Sequence, residues 1–523
     1  MISRLPRSPL PPALRPPRFP RLSRRALPAL ALVLLSGCTG GGGDRTPPDG
    51  RAAADVAPAL RAFHDQRIDW QPCPDQDGTV QCADLKVPLD YADPGGPTVD
   101  VALARVPAAD RRRRLGALVL NPGGPGNSGT AMVRWGWQGF QGPLHDRYDL
   151  VGFDPRGSGD TTPVHCLDDR TRDEWNTTDD PGYDHGKVLA QACQARHADL
   201  LPHLGTRDTA RDLDVLRGAL GESKLDFLGF SYGTHLGARY AEEFPGHTGR
   251  LVLDGAVDHG ADPGRLGLEQ AAAAEAGFRA FAAGCATEER EACPLGADPA
   301  TAPQRLARFL DGLRDHPLRT GDGRSLTAAL GWNAILNALS DGRRSWPRLR
   351  EAIEPAVTGG GADGLLALAD EADGRTEDGG YRTAADAFAA ISCVDGPPAP
   401  PEPELRADLA ELATRAPLTS GHAPVGTLLD PDCRSWPFRS PEPARVIRAP
   451  GSAPILVIGS TEDPDTPYVW AQRLAAGLEH GVLLTREGGG HTAYDKSGCV
   501  RDAVAGFLVD GRMPAAGTSC PSD

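Results

Sequence analysis

Phe227-Leu228-Gly229-Phe230 is an apolar run that stops at a serine, and glycines bracket that serine in Gly229-Phe230-Ser231-Tyr232-Gly233. Before it the run reads as a buried strand, and after it Thr234 to Glu243 has the spacing of an amphipathic helix. A strand that turns directly into a helix leaves no room for side chains on either side of the turn, which is why both flanking positions are glycine. Such a turn holds the serine hydroxyl exposed at the C-terminal edge of a sheet. Few folds satisfy all of this at once.

The rest of the chain repeats the strand half of the pattern. Ala117-Leu118-Val119-Leu120 stops at Asn121-Pro122-Gly123-Gly124, and Leu150-Val151-Gly152-Phe153 stops at Asp154-Pro155-Arg156-Gly157. Leu251-Val252-Leu253 stops at Asp254-Gly255, and Ile455-Leu456-Val457-Ile458 and Val482-Leu483-Leu484 follow far downstream. Thr209 to Leu220 supplies a further amphipathic helix. Buried runs alternating with helices predict an α/β fold, a mainly parallel sheet with helices on both faces. Between about 258 and 390 the rhythm breaks into Ala-, Leu- and Arg-rich sequence with helical spacing and no strand signal. This reads as a helical lid inserted into the core, or as a helical excursion with no role over the site. The expected organisation is therefore core over 59–257, lid over 258–390 and core again over 391–523.

A serine hydroxyl needs a base, since it is barely ionised at neutral pH. His491, in Gly488-Gly489-Gly490-His491-Thr492, follows the last apolar strand and so lies on a loop at the sheet edge. The acid that orients it should follow the preceding strand, where Glu462, Asp463 and Asp465 all stand; Asp463 is preferred. Asp254, at the end of an earlier strand, is the second choice. His235 lies one helical turn past Ser231 on a helix running beneath it, which suits packing. An oxyanion needs two backbone N–H donors, expected from Tyr232 and from Gly124 in the Asn121–Gly126 loop, where a backbone without side chains can approach the substrate. Gly124-Pro125-Gly126-Asn127-Ser128-Gly129 also fits a dinucleotide fingerprint. Pro125, however, lacks the N–H that a phosphate cradle requires, so no nucleotide site is expected.

The N-terminus reads as a leader. Seven arginines and no acids precede the apolar run Ala26 to Leu35, which is too short to span a bilayer. Leu35-Ser36-Gly37-Cys38 resembles a lipidation site at Cys38; the plainer reading is a signal peptide cut near that point. Residues 38–58, with Gly40–Gly43 and Thr46-Pro47-Pro48, form a tether by composition. Without residues 1–37 the chain keeps 48 basic against 70 acidic residues, a formal charge of −22. Such a surface repels phosphates and argues against a nucleic-acid partner, leaving the lipid as the expected membrane contact. The other ten cysteines fall in local pairs without C-x-x-C, which disfavours zinc. Nearest-neighbour bridging predicts 73–82, 166–193, 285–293, 393–433 and 499–520.

The motifs Asn121-Pro122-Gly123-Gly124-Pro125-Gly126, Asp154-Pro155-Arg156-Gly157, Gly229-Phe230-Ser231-Tyr232-Gly233, Asp463-Pro464-Asp465-Thr466-Pro467 and Gly490-His491 together resemble the tripeptidyl aminopeptidase-like serine hydrolases. These are exported enzymes of the α/β-hydrolase fold related to proline iminopeptidases. The resemblance spans about Trp70 to Cys520. It implies an exopeptidase acting on peptides with free N-termini through Ser231, Asp463 and His491, with no metal or organic cofactor. Proline iminopeptidases carry histidine where this chain has Asn121, and an aromatic residue is expected where it has His235. A free-amine substrate calls for a carboxylate on the acyl side, for which Asp395, Glu269 and Glu275 are candidates. Trp135 and Trp137 either line an apolar subsite or pack. An esterase with the same triad and a peptide-binding lipoprotein without catalysis are the rival readings.

Overall fold

A computed structural model describes residues 56–522, apart from 75, 179–182, 259, 288–292, 397–400, 423–431 and 441–443. The segments expected to be a leader and a tether, with Cys38, lie outside the described residues up to residue 55.

Among the described residues twelve strands are formed: β1 (Gln71–Pro72), β2 (Gln81–Pro88), β3 (Thr98–Val106), β4 (Gly116–Asn121), β5 (Tyr148–Phe153), β6 (Leu225–Phe230), β7 (Thr248–Asp254), β8 (Leu318–Arg319), β9 (Ser325–Leu326), β10 (Ile455–Glu462), β11 (Gly481–Gly489) and β12 (Ser519–Cys520). Ten of them make one sheet in the order β1-β2-β3-β5-β4-β6-β7-β10-β11-β12. From β5 to β12 neighbours run parallel, while β1, β2 and β3 are antiparallel additions at one edge. All six strands expected from apolar runs are present. β2 and β3, which sequence reading passed over, alternate buried and exposed residues rather than forming solid apolar runs, as antiparallel strands with one wetter face do.

The side-chain period of two divides the core. Val119, Phe227, Leu253 and Val457 pack on one face with the helices Thr206–Ala219, Tyr232–Glu243 and Tyr468–Gly477. Leu118, Leu228, Val252 and Leu456 pack on the other with Gly129–Gly136 and Gly498–Asp510. Each such side chain, fully buried, contributes about 1.5–3 kcal/mol.

After β4 the chain goes to β5 on one side and then returns to β6 on the other. Loops leaving β4 and β6 therefore diverge at a switch point, where a crevice opens outside the strands' C-terminal ends. The register brings these exits level: Asn121 pairs with Gly229, Gly229 with Leu253, and Phe230 and Ile458 with Asp254. Farther along, Glu462 pairs with Gly489, so the loops after β10 and β11 also leave side by side.

Between β7 and β10 lies the helical insert, with helices Pro263–Thr287, Ala302–Asp315, Ala328–Ser340, Trp346–Thr358, Asp363–Asp373, Ala384–Asp395, Glu402–Arg415 and Pro417–His422. Two details differ from the sequence reading. The short ribbon β8–β9 interrupts the helices, and the boundary expected at 390 falls inside Ala384–Asp395, whose buried residues Ala387, Ala390, Ile391 and Val394 continue one apolar face across it. The five disulfides are 73–82, 166–193, 285–293, 393–433 and 499–520, each the nearest-neighbour pair. That chemistry belongs to an oxidising, extracytoplasmic compartment.

Candidate active site

Ser231 joins β6 to the helix Tyr232–Glu243 with φ 55° and ψ −124°. A non-glycine residue so placed stores about 1–3 kcal/mol of strain, which surrounding structure must hold. Here its N–H donates to the Asp254 carbonyl at 2.8 Å, and its own carbonyl accepts from Thr234 Oγ1 at 2.6 Å. A Cβ on Gly229 would stand 2.5 Å from the Gly233 carbonyl oxygen, and one on Gly233 2.7 Å from Asn121 Oδ1. Both glycines are thus sterically required.

Asp463 is buried at the end of β10, and His491 follows β11. His491 Nδ1 lies 3.1 Å from each Asp463 oxygen. Asp463 also accepts from the backbone amides of Asp465 (2.9 Å), Thr466 (2.8 Å) and Thr492 (3.2 Å). Burial opposes ionisation of this carboxyl, but His491 and these amides outweigh it and hold it below the ordinary aspartate range. Burial likewise opposes the imidazolium of His491; the Asp463 carboxylate, helped by Asp465 and Asp254, overrides that and pushes its pKa up to about 9. With Nδ1–H directed at Asp463, Nε2 is the basic nitrogen. A side chain on Gly255 would begin 3.3 Å from His491 Cε1, so the serine and the histidine flank the same Asp254–Gly255 turn.

Asp254, the second-choice acid, does not bond the imidazole. Its oxygens accept from Ala493 N at 3.0 Å and Tyr494 N at 2.8 Å, fixing the backbone of the histidine loop. Burial raises its pKa to about 6 against the pull of those amides. Thr466 was missed as a site residue. Its hydroxyl lies 3.0 Å from Asp463 Oδ2 and 3.2 Å from His491 Nδ1, because the turn begun by Asp463 folds the third residue back onto it. An Asp with a hydroxyl residue three positions on, at a strand end, was the available signal.

In the loop after β4, Gly123, Gly124 and Gly126 have φ of 87°, 105° and 93°. Gly123 donates its N–H to Asn121 Oδ1 at 3.0 Å, which accounts for asparagine at that position. A Cβ on Gly123 would lie 3.0 Å from Ser231 Cβ and 3.2 Å from Tyr232 N, so this loop lies directly against the serine turn. Among the described residues, neither the Gly124 nor the Tyr232 N–H meets an acceptor. Asp154 secures the far end of the loop, accepting from Ser128 Oγ (2.7 Å), Thr130 N (2.9 Å) and Asp160 N (2.8 Å).

The candidate amine-binding acids separate clearly. Glu269 accepts from Arg473 (2.7 and 2.8 Å), Arg265 (3.0 Å) and Trp470 Nε1 (2.8 Å). Burial resists its ionisation, yet these donors hold it down to about 2. It fastens the helix Pro263–Thr287 to Tyr468–Gly477 and has no free lone pair for a substrate. Glu275 is buried and accepts from Leu418 N at 3.1 Å and Arg279 at 3.1 Å, capping Pro417–His422. Asp395 accepts from Thr206 N at 2.7 Å and Thr206 Oγ1 at 2.5 Å; the same Oγ1 meets the Tyr232 hydroxyl. It therefore reaches the residue next to Ser231, and burial raises its pKa to about 6. Trp135 is 62 % exposed under Arg134, and Trp137 packs on His145 with ring centres 4.9 Å apart. His235 packs on the Tyr232 ring (5.8 Å), and burial lowers its pKa to about 4.

A family profile described as "TAP-like protein" matches residues 424–520. Serine protease Hip1 of Mycobacterium tuberculosis is 36% identical over 541 aligned positions, covering 96% of this chain and 99% of that protein. A protein named carboxylesterase B from the same species is 35% identical, covering 84% and 86%. Tripeptidyl aminopeptidase of Streptomyces lividans is 30% identical, covering 90% and 88%. The likeness to these relatives runs through sheet and insert together, and with the sheet topology and serine turn it decides the classification: the chain belongs to the tripeptidyl aminopeptidase-like family of serine hydrolases with the α/β-hydrolase fold.

Proposed function

We propose that the protein is an exported exopeptidase that releases amino acids or short peptides, tripeptides among them, from free N-termini through an acyl-enzyme. Ser231 attacks the acyl carbon while His491 Nε2 takes its proton, and Asp463 orients the imidazole and stabilises the imidazolium that forms. The Gly124 and Tyr232 amides hold the oxyanion; each such donor is worth about a hundred- to a thousand-fold in rate. His491 then gives its proton to the leaving amine, and a water deprotonated by the same histidine releases the acyl group. The observation that carries this reading is the strained Ser231 turn beside a half-buried His491 bonded to the buried Asp463 at 3.1 Å. Two relatives named as peptidases support amide over ester substrates. Of the acids weighed as amine acceptors, Asp395 is the one whose place beside Tyr232 supports that role. A lipid on Cys38 followed by the tether would keep the enzyme at the cell surface.

A second reading, an esterase of the cell envelope, is favoured by the relative named carboxylesterase B. Matched chromogenic substrates separate the two: a free-amine aminoacyl or tripeptidyl anilide, its N-blocked twin and a short acyl ester. Cleavage of the free-amine anilide alone, absent in Ser231→Ala, establishes the exopeptidase. Ester cleavage with both anilides intact moves the protein to the esterases.

A further inference from the structure

The loops carrying the acid and the histidine are not closed by the sheet alone. His491 donates its backbone N–H to the carbonyl of Ser340 at 2.7 Å, the last residue of the insert helix Ala328–Ser340. Two residues on, Gly342 (φ 65°) lies so close to the histidine loop that a Cβ there would stand 2.8 Å from the Gly489 carbonyl oxygen and 3.1 Å from Gly490 Cα. Lys496 Nζ donates to the His491 carbonyl at 2.9 Å and reaches Asp341 at 3.6 Å. Arg344 donates to the Asp495 carboxylate and carbonyl at 3.0 and 2.8 Å. On the acid side, Gln270 of the insert donates to the Asp465 carbonyl at 2.6 Å.

Both peptide groups that flank the His491 Cα are therefore held by hydrogen bonds, the carbonyl by Lys496 farther along the same loop and the N–H by Ser340 of the insert. We propose that the insert's turn Ser340-Asp341-Gly342 is a positioning element for His491, so that the insert helps assemble the catalytic geometry and does not only cover it. The inference rests on the reading of His491 as general base. Its physical content is twofold. The Ser340 carbonyl fixes where the imidazole starts relative to Asp463. It also presents the negative end of a helix to a residue that becomes cationic during the reaction, which favours the imidazolium.

Gly342→Ala and Gly342→Val test this against Gly323→Ala, a control in the same insert with the same left-handed backbone (φ 87°) but open space around it. The readouts are the rate at which a fluorophosphonate probe labels Ser231, kcat and KM on the cleaved substrate, and the pH dependence of kcat/KM. Displacing a catalytic base by about 1 Å costs on the order of a hundredfold. Gly342→Val is expected to lower kcat and labelling together by at least about tenfold, with KM within about twofold and the acid limb moved to lower pH as the hold of Asp463 weakens. Gly342→Ala should show the same pattern more weakly, and it serves should the valine fail to fold. Gly323→Ala should match the parent. Unchanged kcat, labelling and pH limb in a folded Gly342→Ala would overturn the proposal, as would a rise in KM alone, the signature of a cover. Labelling of Ser231→Ala at the parental rate would overturn the nucleophile assignment itself, and this inference with it.

Discussion

The sheet and the insert bury their apolar residues in different ways. In the sheet, alternation assigns residues to two faces, and the turns after β4, β6 and β7 carry a backbone that only particular residues tolerate, such as Gly124 at φ 105°, Ser231 at φ 55° and Gly255 at φ 70°. The insert has a separate core around Phe278, Phe281, Trp332, Ile335, Ile353 and Leu365, built from helices with ordinary dihedrals. Acids in the two regions differ accordingly. Asp463, Asp254 and Asp154 each gather several backbone amides at the sheet edge, whereas Glu269 and Glu275 tie helices together. In this protein the candidate site sits where the backbone is unusual, and the carboxylates of Glu269 and Glu275 on regular helices are fasteners.

The largest expected effect lies in the sheet region. Ser231→Ala should lower kcat by about 10⁴- to 10⁶-fold without loss of stability. Ser231→Gly should be equally inactive yet melt higher, because glycine relieves about 1 kcal/mol of the left-handed strain; a lower melting temperature would mean the turn is not strained.

Asp463→Asn should lose about 10⁴-fold in kcat by favouring the wrong tautomer of His491. In the parent, His491 held up to about 9 makes kcat/KM rise with pH well beyond the ordinary histidine range. The linkage has a definite sign. A histidine whose folded pKa is raised adds stability that is complete below about 6.5 and is lost as pH climbs through about 9. Melting curves between pH 6 and 10 should show that loss in the parent and a smaller one in Asp463→Asn; parallel curves would remove the ion pair from the argument.

The insert should respond differently. Trp332→Ala, in the middle of its core, should cost about 3–5 kcal/mol of stability. Because Ser340 bonds His491, activity should be lost on heating no later than the insert's own unfolding, followed by circular dichroism. Thr466→Val should be milder, about tenfold in kcat with KM unchanged, the worth of one hydrogen bond within the Asp463–His491 pair. The smallest effect is expected at the fastener: Glu269→Gln should leave KM for a free-amine substrate within about twofold. A large rise in KM there would reassign Glu269 to the substrate site.

The serine turn, Asp463 and His491 were legible as parts of one candidate site because each announces itself within a few residues. Gly229 and Gly233 bracket the serine, three acids follow one strand, and His491 follows a run of glycines. The disulfide pairs were legible for the same reason, their partners being near along the chain. β2 and β3 were not, since alternating half-polar strands resemble loops until their partners are known. Thr466 escaped notice because its role depends on how one turn folds back. Asp395, Glu269 and Glu275 stood equal in the sequence; the donors that distinguish them come from residues 189, 204 and 143 positions away.

What the sequence determined by itself was local backbone geometry: which apolar runs are buried strands, where the chain must turn too sharply for side chains, and which residue types stand at those turns. Steric exclusion and hydrophobic period act over a few residues, so they can be read directly. Only the tertiary structure decided which acid holds His491, which carboxylates are consumed in fastening helices, and that the insert bonds the histidine loop. Those outcomes depend on hydrogen-bond donors brought together across the chain, and a carboxylate's role is set by the partners it finds rather than by its neighbours in sequence.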